Sequence, residues 1–348
     1  MTKSFVAMLG VLVVPALFAQ DGNPASPAAG TGKKESVVAK GSQAAAPAWT
    51  KKTPWGEPDL QGIWNNGTTA PLERPAAFGT RAELTTEELL AKARTDATRS
   101  QGETAEQRAQ PGVGAGPTFW YEIGRTSKAT SQIIDPPDGR LPSLSPAGQQ
   151  YGAERQKKLE EIPLDSFLWK HQGQWVRCIT RGVPNGMIPT VYNNNYQILQ
   201  IPGYFVMYQE MIHTTRIIPT DGRPHLPASI KQWMGDSVGH WEGQTLVVET
   251  TNFNPDAEFN RAPGGTAGAV QIGTTAKVVE RFTRQTETEM DYRFTLDAPA
   301  AYTKPFTAVI PMTTVGAPSR IMEYACIEGD HSVPLSVTAL ITQKALKK

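Results

Sequence analysis

The side chains that could do chemistry gather in one stretch, Tyr192 to Asn252. It holds three of the five histidines, His213, His225 and His240, with Asp221, Asp236 and Glu242 beside them at turn positions. Imidazole with carboxylate is the donor set of a divalent metal site, and also of a general acid/base pair. A metal would draw on His213, His225 and His240. Acid/base work would draw on His225, His240 and Asp236. The spacing matches neither His-x-His nor His-Glu-x-x-His. Convergence therefore requires the Asp221 and Glu242 turns to share one end of the fold. In the competing reading, Asp221 and Asp236 are turn residues bonded to nearby backbone.

Further residues extend the set. Arg216, Arg223, Arg261 and Arg281 suit a bidentate grip on carboxylate or phosphate, unless nearby acids claim them first. In Lys277–Arg284, alternation puts Glu280 on the face of Val278 and Phe282, and the same count puts Glu323 with Ile321, Ala325 and Ile327. A carboxylate on an apolar face needs a partner, or its pKa rises into the range that acid/base catalysis uses. A buried Glu–Arg pair is the competing account of Glu280. Tyr192-Asn193-Asn194-Asn195-Tyr196 offers amides and phenols for a sugar or polyphenol, and serves equally as a turn into a strand. The chain has no Gly-x-Ser-x-Gly elbow, P-loop or dinucleotide fingerprint, and Gly264 to Gly268 reads as a simple loop or lid.

The elements that must position these groups are mostly strands. From Tyr196 the period is two. Strands are predicted over Tyr196–Ile201, Tyr204–Met211, His213–Ile218, Val238–Trp241, Thr245–Thr251, Lys277–Arg284, Glu289–Asp297, Phe306–Thr313 and Arg320–Ile327. Pro202-Gly203, Asp221-Gly222 and Glu242-Gly243-Gln244 supply turns. This meander predicts a mainly β fold, an antiparallel barrel of lipocalin or calycin type, or a sandwich. A barrel lined by Tyr204, Tyr208, Met290, Tyr292 and Phe294 would hold a small organic molecule, with Arg216, Arg223 and Glu242 as polar contacts. A polar helical insertion at about 80–165 should lie on the surface. The capping box Thr85 to Glu88 starts one helix, and Ser145-Pro146 starts another that reaches about Glu161.

The remaining features bound the setting. Residues 1–19 read as a signal peptide, with Lys3 before a short apolar run and Ala19 at the cleavage site. Residues 20–54 read as a disordered linker, and 55–345 as one β-rich domain with the strand meander over 196–328. The two cysteines, Cys178 and Cys326, are expected to pair in an oxidising compartment. Formal charge is +1, which leaves no basic footprint for nucleic acid or an anionic membrane surface. The expected location is secreted or periplasmic, with no stable membrane insertion after signal cleavage.

Five segments together resemble a large family of exported bacterial proteins without an assigned function. They are Trp55 to Trp64, Tyr192 to Gln197, Arg216 to His225, Gly235 to Thr250 and Glu323 to Gly329. The carrying motifs are Asp-Gly-Arg-Pro-His, Gly-x-Trp-Glu-Gly-x-Thr-Leu-Val-Val and Glu-Tyr-x-Cys. The resemblance implies a compartment and a fold, and no substrate. Members often carry His after the last Cys, where this chain has Ile327, with His331 close by. Gly62-Ile63-Trp64 more weakly resembles the lipocalin motif whose Trp plugs a barrel end.

The leading expectation is an exported small-molecule-binding barrel of unknown ligand. One alternative is a lyase or hydrolase using His225, His240, Asp236 or Glu280, with or without a divalent metal. A second is a structural or cell-surface interaction protein, favoured by a filled barrel interior.

Overall fold

The computed structural model describes residues 49–102, 111–112, 116–117, 122, 124–162, 173–175, 177–260, 269–314, 316–326 and 338. The expected signal peptide, most of the expected linker, Arg261, residues 264–268, Ile327 and His331 lie outside them. Order is already present at Trp49. Its indole donates to Asp59 O at 2.9 Å and stacks on the Arg284 guanidinium. The linker thus ends before residue 54.

The fold is mainly β. The strands named here are β1 (Gly62–Asn65), β2 (Ile133–Asp135), β3 (Asn195–Ile201), β4 (Tyr204–Gln209), β5 (Thr214–Pro219), β6 (Asp236–Glu242), β7 (Thr245–Thr251), β8 (Glu258–Asn260), β9 (Ala269–Gln271), β10 (Lys277–Arg284), β11 (Glu289–Asp297) and β12 (Phe306–Thr313). One antiparallel sheet runs β5-β4-β3-β1-β12-β11-β10-β7-β6, and β2 adds to β12. Its end strands β5 and β6 come into contact, so the sheet nearly closes into a barrel. Closure of this kind removes most of the open edge. β8 and β9 form a separate small hairpin.

Two departures from the expected strands have physical causes. β1 has only four residues and too little alternation to read as a strand, yet it joins the two halves of the sheet by pairing with β3 and β12. Its Trp64 is fully buried, donates to Leu60 O at 3.0 Å and lies under Arg284. Conversely, residues 320–326 form no strand. The disulfide fixes Cys326 to Cys178, and the segment packs beside Met211, Ile212 and Trp175 instead. Glu323 is accordingly exposed, not inward-facing.

Both helices form: α1 (Thr86–Gly102) and α2 (Pro146–Glu161). Thr85 and Glu88 make the reciprocal capping box, with Glu88 N to Thr85 Oγ1 at 3.2 Å and Thr85 N to Glu88 Oε2 at 2.8 Å. Ser145 caps α2, accepting from Gly148 N at 3.0 Å. Among the described residues, no helix is long and apolar enough to cross a membrane.

The concave side of the sheet is full. Phe205, Phe282, Tyr292, Phe294 and Phe306 form a chain of ring contacts there, each ring at most 1 % exposed. Segment 180–188 packs onto the same side. Gly186 O accepts from Tyr196 Oη at 2.7 Å, Met187 O accepts from Asn66 Nδ2 at 2.7 Å, and Val183, Met187 and Ile188 join the core. The chain's own side chains thus occupy the space expected to hold a ligand.

Candidate functional site

The structure separates the candidate residues into an inner and an outer set. Residues of one strand alternate between the two faces of the sheet, so neighbours in sequence part company. Ser237, Thr250 and Glu280 face inward. Asp236, Glu249 and Lys277, next to or near them in sequence, face outward.

The inner set is an ion pair. Arg216 grips Glu280 with two bonds, Nη1 to Oε1 at 2.8 Å and Nη2 to Oε2 at 2.6 Å. Tyr292 Oη donates to Glu280 Oε1 at 2.9 Å, and Ser237 Oγ accepts from Arg216 Nη2 at 3.0 Å. Burial alone would lower the Arg216 pKa, but the Glu280 charge and hydrogen bonds outweigh it and the net direction is up. Burial, followed by the Glu280 charge, pushes the Tyr292 phenol well above its usual value. Glu280 is fully buried. It is engaged here and is not brought to His225, His240 or Asp236. Tyr292 and Phe294 are likewise enclosed without exposure, and Arg216 is consumed by the pair.

The outer set holds the histidines. His225 Nδ1 lies 2.7 Å from Asp236 Oδ2, and its Nε2 lies 3.5 Å from Glu249 Oε1 without a hydrogen bond. Lys277 Nζ holds the other Glu249 oxygen at 2.5 Å. His240 points outward beside Glu242 at 3.2 Å, and Glu242 also takes Arg281 at 2.6 Å. His213 is exposed in the turn before β5, where both Ile212 and His213 have positive φ. Among the described residues, no group of three or more His, Cys, Asp or Glu is arranged to hold a metal. The three histidines sit on three separate elements, so the expected metal triad is not formed. The His225–Asp236 pairing does form.

Tyr204 and Tyr208 are on the outer face, contrary to the expected lining. β4 is apolar on both sides, and its inward residues are Phe205, Met207 and Gln209. Tyr204 Oη instead accepts from Arg223 Nη2 at 2.8 Å. Arg223 also clamps Asp221, with Nη2 to Oδ2 at 2.5 Å, and its hydrogen bonds pull the Asp221 carboxyl down to about 2. A carboxyl lowered in the folded state contributes its stabilisation above the unfolded pKa and loses it as pH falls through the folded value. The clamp should therefore hold at pH 4 and open near pH 2. In Arg223→Ala the Asp221 midpoint should return toward about 4, read by carboxyl-carbon NMR titration. A midpoint that stays put would show that Arg223 does not set it.

A third constellation was not legible in the sequence. Gly173, Gln174, Trp175, Arg181, Asn185, Glu258 and Asn260 line a pocket with about 10 Å³ of free space, enough for one water. Arg181 is 7 % exposed and makes neither a hydrogen bond nor an ion pair among the described residues. Its guanidinium lies 4.8 Å from the centre of the Trp175 ring, and burial lowers its pKa. Three buried amide oxygens, Gln174 Oε1, Asn185 Oδ1 and Asn260 Oδ1, also lack partners among the described residues. The amide nitrogens of Gln174 and Asn185 both point to Glu258 O at 3.4 Å, which orients their oxygens away from it. Buried polar atoms are normally satisfied. Three unsatisfied amide oxygens and the Arg181 guanidinium around one hole mark a place for a guest with hydrogen bonds to give and receive. The contributing segments are about eighty residues apart along the chain, and only the Gly-x-Trp at Gly173 stands out locally.

No family model, no curated protein and no solved structure matches this chain.

Proposed function

We propose that this chain is an exported binding protein that holds a small polar organic molecule at the Arg181 pocket. The observation that carries the reading is the convergence there of the buried Arg181 guanidinium and three amide oxygens without partners among the described residues. Export is supported by the signal-like residues 1–19 and the Cys178–Cys326 bridge, and by the resemblance to an exported bacterial family. The packed barrel interior counts against a lumen ligand and favours the structural or interaction-protein alternative; the Arg181 pocket is what supports binding instead.

The test is NMR on the full chain, observing the Trp175 indole N–H and the Arg181 Nε–H. A panel of neutral polyols, dicarboxylates, inorganic phosphate and aromatic acids is added at millimolar concentration. At least one member should shift both signals together. If every member leaves both unmoved, the binding reading fails.

The His225–Asp236 hydrogen bond supports a second reading, an acid/base enzyme in which Asp236 orients the ring and Nε2 takes the proton. In that case His225→Ala would abolish turnover with the fold intact, whereas His240→Ala would leave it.

A further inference from the structure

We infer that the pocket is built for a hydroxyl group, so that the ligand is a sugar or other polyhydroxylated molecule. This rests on the binding reading above and names the class of ligand. The hole is the size of one water. Its wall offers donors from Arg181 and acceptors from Gln174 Oε1, Asn185 Oδ1 and Asn260 Oδ1. A hydroxyl fits that volume, accepts from the guanidinium and donates to an amide oxygen. A carboxylate satisfies Arg181 but brings no proton to three acceptors, and those acceptors repel its charge. An ammonium satisfies the acceptors but opposes the Arg181 charge. A neutral group that both gives and takes pairs the guanidinium and one amide oxygen at once, which neither charged group does.

The surroundings fit the same class. The Trp175 indole is partly exposed and borders the hole. An aromatic face beside amide and guanidinium groups suits a ring carrying several hydroxyls, one entering the hole and the rest remaining outside. A sugar hydroxyl would replace an ordered water and reproduce its hydrogen bonds, which is the condition for displacement without loss.

The test compares glucose, galactose and mannitol with succinate and inorganic phosphate on the full chain, following the Trp175 and Arg181 signals. The hydroxylated probes should shift both signals. Singly deoxygenated glucose analogues should include one that binds at least tenfold more weakly, because a site built to bond a hydroxyl is left unpaired when it is missing. Asn260→Ala should weaken the same probes, and the deoxy series gives the answer even where that variant fails to fold. Shifts from succinate or phosphate alone would overturn the hydroxyl assignment and leave the binding reading standing. Shifts from no probe would overturn both, leaving the pocket as the seat of an ordered water.

Discussion

Glu280→Ala is expected to destabilise the fold by about 3–5 kcal/mol, the usual cost of removing one partner of a buried ion pair. The size follows from what stays behind. Arg216 would remain inside the sheet at 5 % exposure with its charge uncompensated, and Tyr292 Oη would lose its acceptor. Ser237 and Thr250, the other hydroxyls near Arg216, bear no charge to replace it. The melting temperature should fall by roughly 10 °C on the scale of domains of this size. Tyr292→Phe removes one bond to the carboxylate and should cost about 1–3 kcal/mol. The double variant Arg216→Met, Glu280→Leu should recover most of the loss, since a packed apolar pair avoids desolvating two charges. Thermal and denaturant unfolding of the three variants decides the matter. A Glu280→Ala protein within 1 kcal/mol of the parent would show that the pair contributes nothing to the fold, and would reopen a chemical role for Glu280.

That prediction also explains why the sequence led partway to the site and then stopped. Alternation in β10 placed Glu280 inward correctly, because Val278 and Phe282 flank it on an otherwise clean strand. It could not say that Arg216, sixty-four residues earlier, would meet it. β10, β11 and β12 were legible to the residue, since polar or charged side chains alternate with apolar ones along β10 and β11 and the apolar, β-branched run of β12 follows them directly. β4 defeated the same method. Tyr204, Phe205, Val206, Met207 and Tyr208 are apolar or aromatic in succession, so the strand was plain but its facing was not. Its inward Gln209, close to Met187, is a polar side chain in the core that no periodicity announces. The Arg181 pocket was least legible. Its wall comes from residues 173–175, 181–185 and 258–260, and their meeting is a property of how segment 180–188 packs onto the sheet.

The second large effect belongs to the Cys178–Cys326 bridge. Its ends are 148 residues apart. In the chain-entropy account, a loop of that length restricts the unfolded state by about 5 kcal/mol. Cys178→Ala with Cys326→Ala should lower stability by up to that amount, and reduction of the parent should move its unfolding midpoint the same way. The loop contains β3 to β12, nearly the whole sheet, so the constraint acts on the unfolded form of the barrel itself. The same bridge also holds Cys326 against Trp175, Met211 and Ile212, so a smaller, local effect is the competing account. Amide exchange separates the two. If the bridge acts through the unfolded chain, its loss should lower protection in β10 and β11 together with every other slowly exchanging strand. If it only pins the segment, protection should fall around residues 173–181 and 320–326 and the sheet should exchange as before. An unchanged midpoint after full reduction would rule out the global effect. The Arg181 pocket supplies a further discriminator, since Gln174 and Trp175 lie within four residues of Cys178 in sequence. A purely local role predicts that reduction alone disturbs the Trp175 and Arg181 signals while the melting temperature stays where it was.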